Sequence, residues 1–290
     1  MKAILLAGGN GTRLGPLTCS LSKQLLPVYD KPVIFYPLST IMLAGIRDIM
    51  VISTPRDIPM IESLLGDGSL YGINLSYRVQ ERPEGIAQAF LIANEFIEND
   101  SVCLTLGDNL FYGHDLQPQL VKSAALEEGA SVFAYHVQDP ERYGVVEFDA
   151  DQKAISIEEK PKSPRSNWAV TGLYFYDKNA LEYAKSLKPS ARGELEITDL
   201  NRIYLANKAL KVEKLGRGIA WLDMGTPDSL LSSGTFVQTL EKRQGLKIGC
   251  LEEIAYHKKF IDRKQLEACA DKYGSSDYGK YLRKVLTQPF

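Results

Sequence analysis

Short apolar runs alternate with stretches of helical periodicity over the first hundred residues. Lys2–Ala7, Asp48–Ser53, Asn74–Val79 and Ser101–Leu106 read as strands, and Val33–Ala44, Met60–Leu65 and Ile86–Ile97 as helices. Strands separated by helices need crossover connections. The pattern therefore predicts an α/β fold, a Rossmann-like, mostly parallel sheet with helices on both faces. After Gly107 the rhythm changes: strands are expected at Ser131–His136, Val145–Phe148, Ala154–Glu158 and Val170–Tyr176, then helices at Ala180–Ser186 and Thr198–Ala206. A parallel start that continues into antiparallel pairs makes the sheet mixed and adds a second lobe. From Leu251 onward three helices are read, Glu252–Lys259, Arg263–Asp271 and Tyr278–Leu286. The proline-rich segment Lys160–Arg165 is a surface loop, because patterned structure resumes at once.

A length of 290 residues allows one large domain or two small ones. With 44% hydrophobic and 24% charged residues and a net charge of −2, the chain has no broad field to attract nucleic acid or an anionic membrane. Any anion site must be local. The apolar N-terminal run is too short for a signal peptide and no run is long enough to span a bilayer, so a cytoplasmic address is expected. Cys19, Cys103, Cys250 and Cys269 have no paired spacing, which argues for reduced thiols over a zinc site or a disulfide framework. The only histidines, His114, His136 and His257, are too few and too scattered for a histidine metal cluster.

The first strand runs directly into Ala7-Gly8-Gly9-Asn10-Gly11-Thr12-Arg13-Leu14. Glycines expose backbone N–H groups to a phosphate, so the turn is a candidate phosphate cradle. It fits neither familiar nucleotide loop. A dinucleotide fingerprint starting at Gly9 needs a small residue where Leu14 stands, and a Walker loop needs Gly-Lys-Ser/Thr, which is missing. Arg13 and Lys23 supply instead two cations suited to a polyphosphate. Two further apolar strands end in carboxylates, at Leu106-Gly107-Asp108-Asn109 and at Trp221-Leu222-Asp223-Met224-Gly225. Delivered to one crevice, Asp108 and Asp223 would repel each other unless a cation lay between them. Magnesium, which takes a few carboxylates plus substrate phosphate oxygens, is the economical choice. Taken singly, each aspartate is equally readable as a cap or turn residue.

In their order and spacing, the segments Leu5–Leu14, Ser22–Pro32, Leu106–Asn109, Glu141–Val146, Glu158–Pro161 and Arg192–Thr198 resemble the sugar nucleotidyltransferase family over nearly the whole chain, in the branch that uses dTTP and glucose 1-phosphate. The resemblance implies attack by the sugar phosphate on the α-phosphorus of dTTP, giving dTDP-glucose and pyrophosphate, with Mg2+ as cofactor. It implies a catalytic domain over residues 1–250, its nucleotide part about 1–110 and its sugar part about 111–225, followed by a helical segment 251–290 at an oligomer and effector interface. Carried over by position, Gly8, Gly11, Thr12 and Arg13 would cradle the triphosphate, with Lys23 opposite and Gln24 within reach. Gln80 and Gly85 would read the base, and Asp108 and Asp223, with Asn109 beside them, would hold the metal. Tyr143, Gly144, Glu159 and Val170 would bind the sugar, and Lys160 and Arg192 its phosphate. Arg13, Lys23, Lys160, Asp108 and Asp223 would form the catalytic set.

The resemblance further implies a homotetramer with feedback by dTDP-sugars. Tyr112, Gly113, His114 and Arg217 match the effector positions, and His257 stands where a close relative has arginine. Met224 stands where the family commonly has threonine, the preceding carboxylate being kept. A preference for UTP, a non-catalytic nucleotide-sugar sensor and a nicotinamide oxidoreductase are the alternatives, the last opposed by Leu14.

Overall fold

A computed structural model of the chain describes residues 1–9 and 11–287. Asn10 of the glycine turn and the last three residues of the expected 251–290 segment lie outside the described residues. The first half forms β1 (Lys2–Leu6), a small hairpin of β2 (Pro27–Val28) and β3 (Lys31–Pro32), α1 (Phe35–Leu43), β4 (Asp48–Ser53), α2 (Ile58–Leu65), β5 (Asn74–Val79), α3 (Gln88–Ile92), α4 (Asn94–Ile97) and β6 (Val102–Leu106). These follow the apolar runs closely. The helix expected over 86–97 is broken in two at Ala93, whose backbone leaves the helical region and which is wholly buried.

Strand β1 pairs in parallel with β4 on one side and β6 on the other, and β4 with β5. The alternation within β1 explains why its run is uninterruptedly apolar. Ala3 and Leu5 face one core, with Phe35 and Leu38 of α1, while Ile4 and Leu6 face another, with Phe90 of α3. Both faces are covered.

The second half adds β7 (Asn109–Gly113), α5 (Leu116–Ala124), β8 (Ala130–His136), β9 (Gly144–Phe148), β10 (Ala154–Glu159), β11 (Trp168–Tyr176), α6 (Ala180–Ser186), α7 (Ile197–Ala206), β12 (Leu210–Lys214) and β13 (Ile219–Asp223). Strand β11 lies antiparallel beside β6 at its C-terminal half and beside β9, which leads on to β10, at Ala169, while β8 pairs antiparallel with it at both ends and carries β12 in parallel beyond. The expected mixed sheet is thus one continuous sheet. β7 and β13 leave it and form a separate antiparallel ribbon.

Then come α8 (Pro227–Gln244), α9 (Leu251–His257), α10 (Arg263–Lys272) and α11 (Asp277–Val285). Helix α8 starts on a reciprocal Thr226–Ser229 capping box with Pro227 in its first turn, and stops at Gly245 in the left-handed region. The tail helices share the core of α1: Leu251, Ala255, Leu266 and Leu282 are fully buried in the same cluster as Leu38 and Ile41. No helix among the described residues is long and apolar enough to cross a membrane.

A buried ion cluster ties these parts together. Glu241 of α8 accepts from Lys31 Nζ of β3 at 3.0 Å, from the Ile248 N–H at 2.8 Å and from Lys247 Nζ at 3.3 Å. Asp30 contacts both lysines, whose charges and hydrogen bonds hold its carboxyl below the usual range against the opposing effect of burial. The Lys247 N–H in turn donates to the Tyr281 hydroxyl of α11 at 3.1 Å. Lys31 is only 2% exposed, so loss of a partner leaves a cation without water. Glu241→Ala should cost about 3 kcal/mol in urea unfolding, the range for breaking a buried pair. A loss under about 1 kcal/mol would mean that the cluster behaves as a surface network.

Candidate active site

Two acidic strand ends are brought together by the β7–β13 ribbon. Leu6 and Leu106 are in register, so the glycine turn and Gly107-Asp108 leave the sheet at the same edge. The chain then turns into β7, where Asn109 lies opposite Asp223 of β13, and the Met224 N–H donates to the Asp108 carbonyl at 3.0 Å. Asp108 and Asp223 face one cavity of about 490 Å³ together with Arg13, Tyr143, Gly144, Glu159, Lys160 and Val170. A second hollow of about 340 Å³ is lined by Gly8, Gly9, Lys23, Gln24, Gln80 and Gly85. The two share Arg13, Ile86, Leu106 and Asp108. The cleft therefore has two chambers meeting at a guanidinium and a carboxylate.

The chamber on the glycine side is held by amides. A Cβ on Gly8 would lie 2.4 Å from Gln80 Oε1, so only glycine lets that side chain close over the turn. Gln80 donates to Gln88 Oε1 at 2.7 Å, and Gln88 to Glu84 Oε2 at 2.9 Å, a relay that fixes the orientation of the Gln80 amide. Gln24, in the chamber wall, is 2% exposed; it donates to the Gly8 carbonyl at 3.3 Å and accepts from Ser22 Oγ at 2.5 Å. Its place is beneath the turn, which it supports. Gly11 adopts a left-handed conformation, its carbonyl accepting from Thr18 Oγ1 at 2.8 Å, and leaves Thr12 and Arg13 exposed. Leu14, the residue that breaks the dinucleotide pattern, is completely buried against Met224 and Tyr36. The unusual Met224 thus serves as packing under the turn.

In the other chamber Asp108 is largely buried. Burial raises its pKa, but the Lys23 charge and hydrogen bonds from Lys23 and Asn109 outweigh this and hold the carboxyl below its usual range. Asn109 is part of the lining of this chamber, but its side-chain atoms are bound by the protein. It is 3% exposed, its Nδ2 donates to Asp108 Oδ1 at 2.8 Å, and its Oδ1 accepts from Trp221 Nε1 at 2.6 Å and the Gly172 N–H at 3.1 Å. Through the first of these bonds Asn109 orients the Asp108 carboxylate from within the cleft lining. Asp223 accepts from the Tyr143 hydroxyl at 3.4 Å, and the Tyr143 pKa is pushed up to about 12 by burial and by that carboxylate. Glu159 accepts from Thr198 Oγ1 at 2.5 Å. Lys160 is exposed, with its N–H donating to the Tyr143 carbonyl at 3.0 Å.

Arg192 departs from expectation. Its guanidinium is bound by Glu196 at 2.8 Å, with Glu194 at 3.3 Å and Glu159 at 3.6 Å, and it does not line either chamber. Three carboxylates within reach already satisfy the cation. Conversely, Arg142, Thr198, Trp221 and Gln88 belong to the site although no role was expected for them. Arg142 and Thr198 lay inside segments that carry the family resemblance and Trp221 in the strand that ends at Asp223; Gln88 gave no signal, being one polar residue at the start of an apolar helix.

Oxygen donors from two carboxylates suit magnesium, which leaves most of its coordination to water and phosphate. Among the described residues no set of three or more acidic, histidine or cysteine side chains converges, so a full protein cage is not built.

A third cavity of about 390 Å³ lies between α1, β7 and α9, lined by Tyr112, Gly113 and His257 together with Lys247 and Glu253. Of the expected effector residues, His114 and Arg217 are exposed and lie outside its lining. Burial pushes the Glu253 carboxyl up to about 7, against the lowering effect of its hydrogen bond from Tyr281 and of Lys31 and Lys247; Glu241 adds to the rise. His257 Nε2 is 4.0 Å from it.

Residues 2–239 match the model of the nucleotidyl transferase family. The chain belongs to that family. It is 59% identical over 286 residues, 99% of each chain, to a glucose-1-phosphate thymidylyltransferase of Neisseria meningitidis, and 55% identical over 286 residues to one of Mycobacterium tuberculosis, again 99% of each. A solved Bacillus anthracis protein provisionally assigned the same activity, in complex with a sucrose, superimposes with a TM-score of 0.76 at 43% identity, covering 81% of this chain and 94% of that one. A UDP-glucose pyrophosphorylase complexed with UDP-glucose, 24% identical with a TM-score of 0.73, covers 82% of this chain and 98% of that one and shares the fold.

Two predictions follow from this geometry. A Cβ on Gly225 would lie 3.0 Å from Arg13 Nη2 and 3.4 Å from its Cζ, so Gly225→Ala should push the guanidinium aside by a few tenths of an ångström. Turnover should fall roughly ten-fold, since displaced catalytic groups lose rate steeply, with the melting temperature little changed; a wild-type rate would show that Arg13 is not held there. The Glu253 carboxyl is raised to about 7, above the ordinary 4.5 of a glutamate, so its contribution is fully present below pH 4.5 and is lost as pH rises through 7. Glu253→Gln should therefore gain stability relative to wild type between pH 5 and pH 8, by a few kcal/mol at most, in paired urea titrations. Parallel curves for the two proteins would refute the shift.

Proposed function

We propose that this chain transfers a thymidylyl group from dTTP to glucose 1-phosphate, releasing pyrophosphate and forming dTDP-glucose. The observation that carries the reading is the meeting of two chambers at Arg13 and Asp108, in a chain 59% identical throughout to named thymidylyltransferases. One chamber has glycine backbone and a fixed carboxamide, suited to a triphosphate and a pyrimidine edge; the other has Glu159, Tyr143 and backbone groups suited to sugar hydroxyls.

No general base is required. A phosphate monoester has a second pKa near 6 by analogy with phosphoserine, so the sugar phosphate is already mostly dianionic at neutral pH. The protein's task is to align two anions that repel each other and to neutralise the charge that develops on the departing pyrophosphate. Arg13, free of any carboxylate partner among the described residues, is placed to hold that leaving group from the glycine turn. Lys23 holds phosphate charge on the nucleotide side, and Lys160, exposed at the cavity wall, draws in the sugar phosphate. Asp108 and Asp223 would hold Mg2+, which supplies Lewis-acid neutralisation of phosphate oxygens when bound. Glu159, kept in place by Thr198, would accept from glucose hydroxyls.

The family resemblance also supports a homotetramer in which dTDP-sugars, dTDP-rhamnose among them, inhibit through the cavity beside Tyr112, Gly113 and His257. A cytoplasmic, metal-dependent enzyme at the entry to dTDP-sugar synthesis is the consistent picture.

Chromatographic detection of dTDP-glucose and pyrophosphate from dTTP and glucose 1-phosphate tests the reading. Product is expected, with UTP poorer by kcat/KM; higher kcat/KM with UTP would move the assignment to uridylyl transfer, and binding without product would make the chain a sensor. Arg13→Ala should lower kcat by about 100-fold or more, the scale of losing one transition-state donor, with KM changing only a few-fold. Unchanged kcat with raised KM would remove Arg13 from the chemistry.

A further inference from the structure

Asp108, at the junction of the chambers, and Asp223, in the larger one, each have a protein cation nearby. Lys23 Nζ contacts Asp108 Oδ2 directly, and both side chains are about 85% shielded from solvent, at 14% and 15% exposure. Asp108 Oδ1 is taken by Asn109. On the other side Arg142 Nη2 stands 3.9 Å from Asp223 Oδ2. The two cations are anchored differently. Arg142 is fixed at its far side by Asp139 at 2.6 Å and lies over the Tyr143 ring at 5.3 Å. Lys23 has no other side-chain partner among the described residues, and its flexible stem also lines the nucleotide-side chamber.

We propose that Lys23 is an exchangeable counter-ion: in the free protein its ammonium occupies the metal-facing oxygen of Asp108 and keeps divalent ions weakly bound, and an arriving polyphosphate draws it away. The proposal rests on the reading that this cleft takes a nucleoside triphosphate and a divalent cation. A unit positive charge within hydrogen-bond distance of Asp108 both neutralises the ligand and repels an incoming dication in a poorly hydrated site. Phosphate oxygens near Gly8 to Arg13 offer the ammonium an alternative anion of greater charge, and its departure frees Asp108 Oδ2. Metal binding is then linked to nucleotide binding through one side chain, with no domain movement required, and the linkage is reciprocal. Arg142, held in place, would remain with Asp223 and lower the net charge of the pair without exchanging.

The test is a titration of Mn2+ against nucleotide-free protein, read from the free-ion electron paramagnetic resonance signal. Lys23→Gln should bind Mn2+ at least about ten-fold more tightly than wild type, the scale expected for removing one charge at contact in a partly solvated site. Lys23→Arg, which keeps the charge, should stay near wild type, and adding Asp108→Asn to Lys23→Gln should abolish the gain. Equal affinity in wild type and Lys23→Gln, within two-fold, would overturn the proposal. So would tight, stoichiometric Mn2+ binding by nucleotide-free wild-type protein, a result independent of how any variant folds. The titration needs no product formation, so a protein that makes dTDP-glucose but shows no Lys23 effect would reject this inference alone.

Discussion

Like charges held close together are the constraint on which this structure turns. Asp108 and Asp223 belong to strands far apart in the chain, and the β7–β13 ribbon sets them beside each other by register, with Asn109 opposite Asp223 and the Met224 N–H on the Asp108 carbonyl. Two carboxylates so placed would repel without compensation. The protein meets this with Lys23 on one, Arg142 near the other, and hydrogen bonds from Asn109 and Tyr143. The arrangement has chemical use because the compensation is partial and, at Lys23, displaceable.

The rest of the fold supplies rigid walls to that junction. Parallel strands β1 and β6 are buried on both faces and end in step, so their loops emerge fixed relative to each other at the carboxyl edge where ligands bind in open α/β sheets. Extension of the same sheet through β11 brings Glu159 and Tyr143 to the other side of the junction. Beneath the glycine turn, Leu14 and Met224 form an apolar floor. Where a dinucleotide loop has a small residue that permits close packing of a helix on the strand, Leu14 instead ends a short 3₁₀ turn, its side chain in the core and its neighbour Arg13 exposed.

The same management of charge recurs away from the cleft. Lys31, Lys247, Asp30 and Glu241 form a buried network joining the β2–β3 hairpin to α8 and, through Tyr281, to the tail. Lys247 and Glu253 also line the cavity next to Tyr112 and His257. The network reaches that cavity through Lys247, and both lining groups are tied to Tyr281 of α11, one by its backbone N–H and the other by its carboxylate.

The sequence by itself determined the alternation of buried strands and helices, since continuous apolar runs such as Lys2–Leu6 and Val102–Leu106 are stable only where both faces are covered. It also determined the glycine turn, because bare backbone is readable residue by residue, and it marked two strands that end in carboxylates, whose meeting only the family resemblance implied. Only the tertiary structure decided that they meet, because the register of β13 against β7 is a pairing between segments with no local signal of each other. It likewise decided the orientation of long polar side chains. Gln24 turned to Gly8 and Asn109 to Trp221, partners distant in sequence, and burial made an unsatisfied choice costly, while the exposed Arg192 took Glu196 only four residues away together with Glu159 of another element.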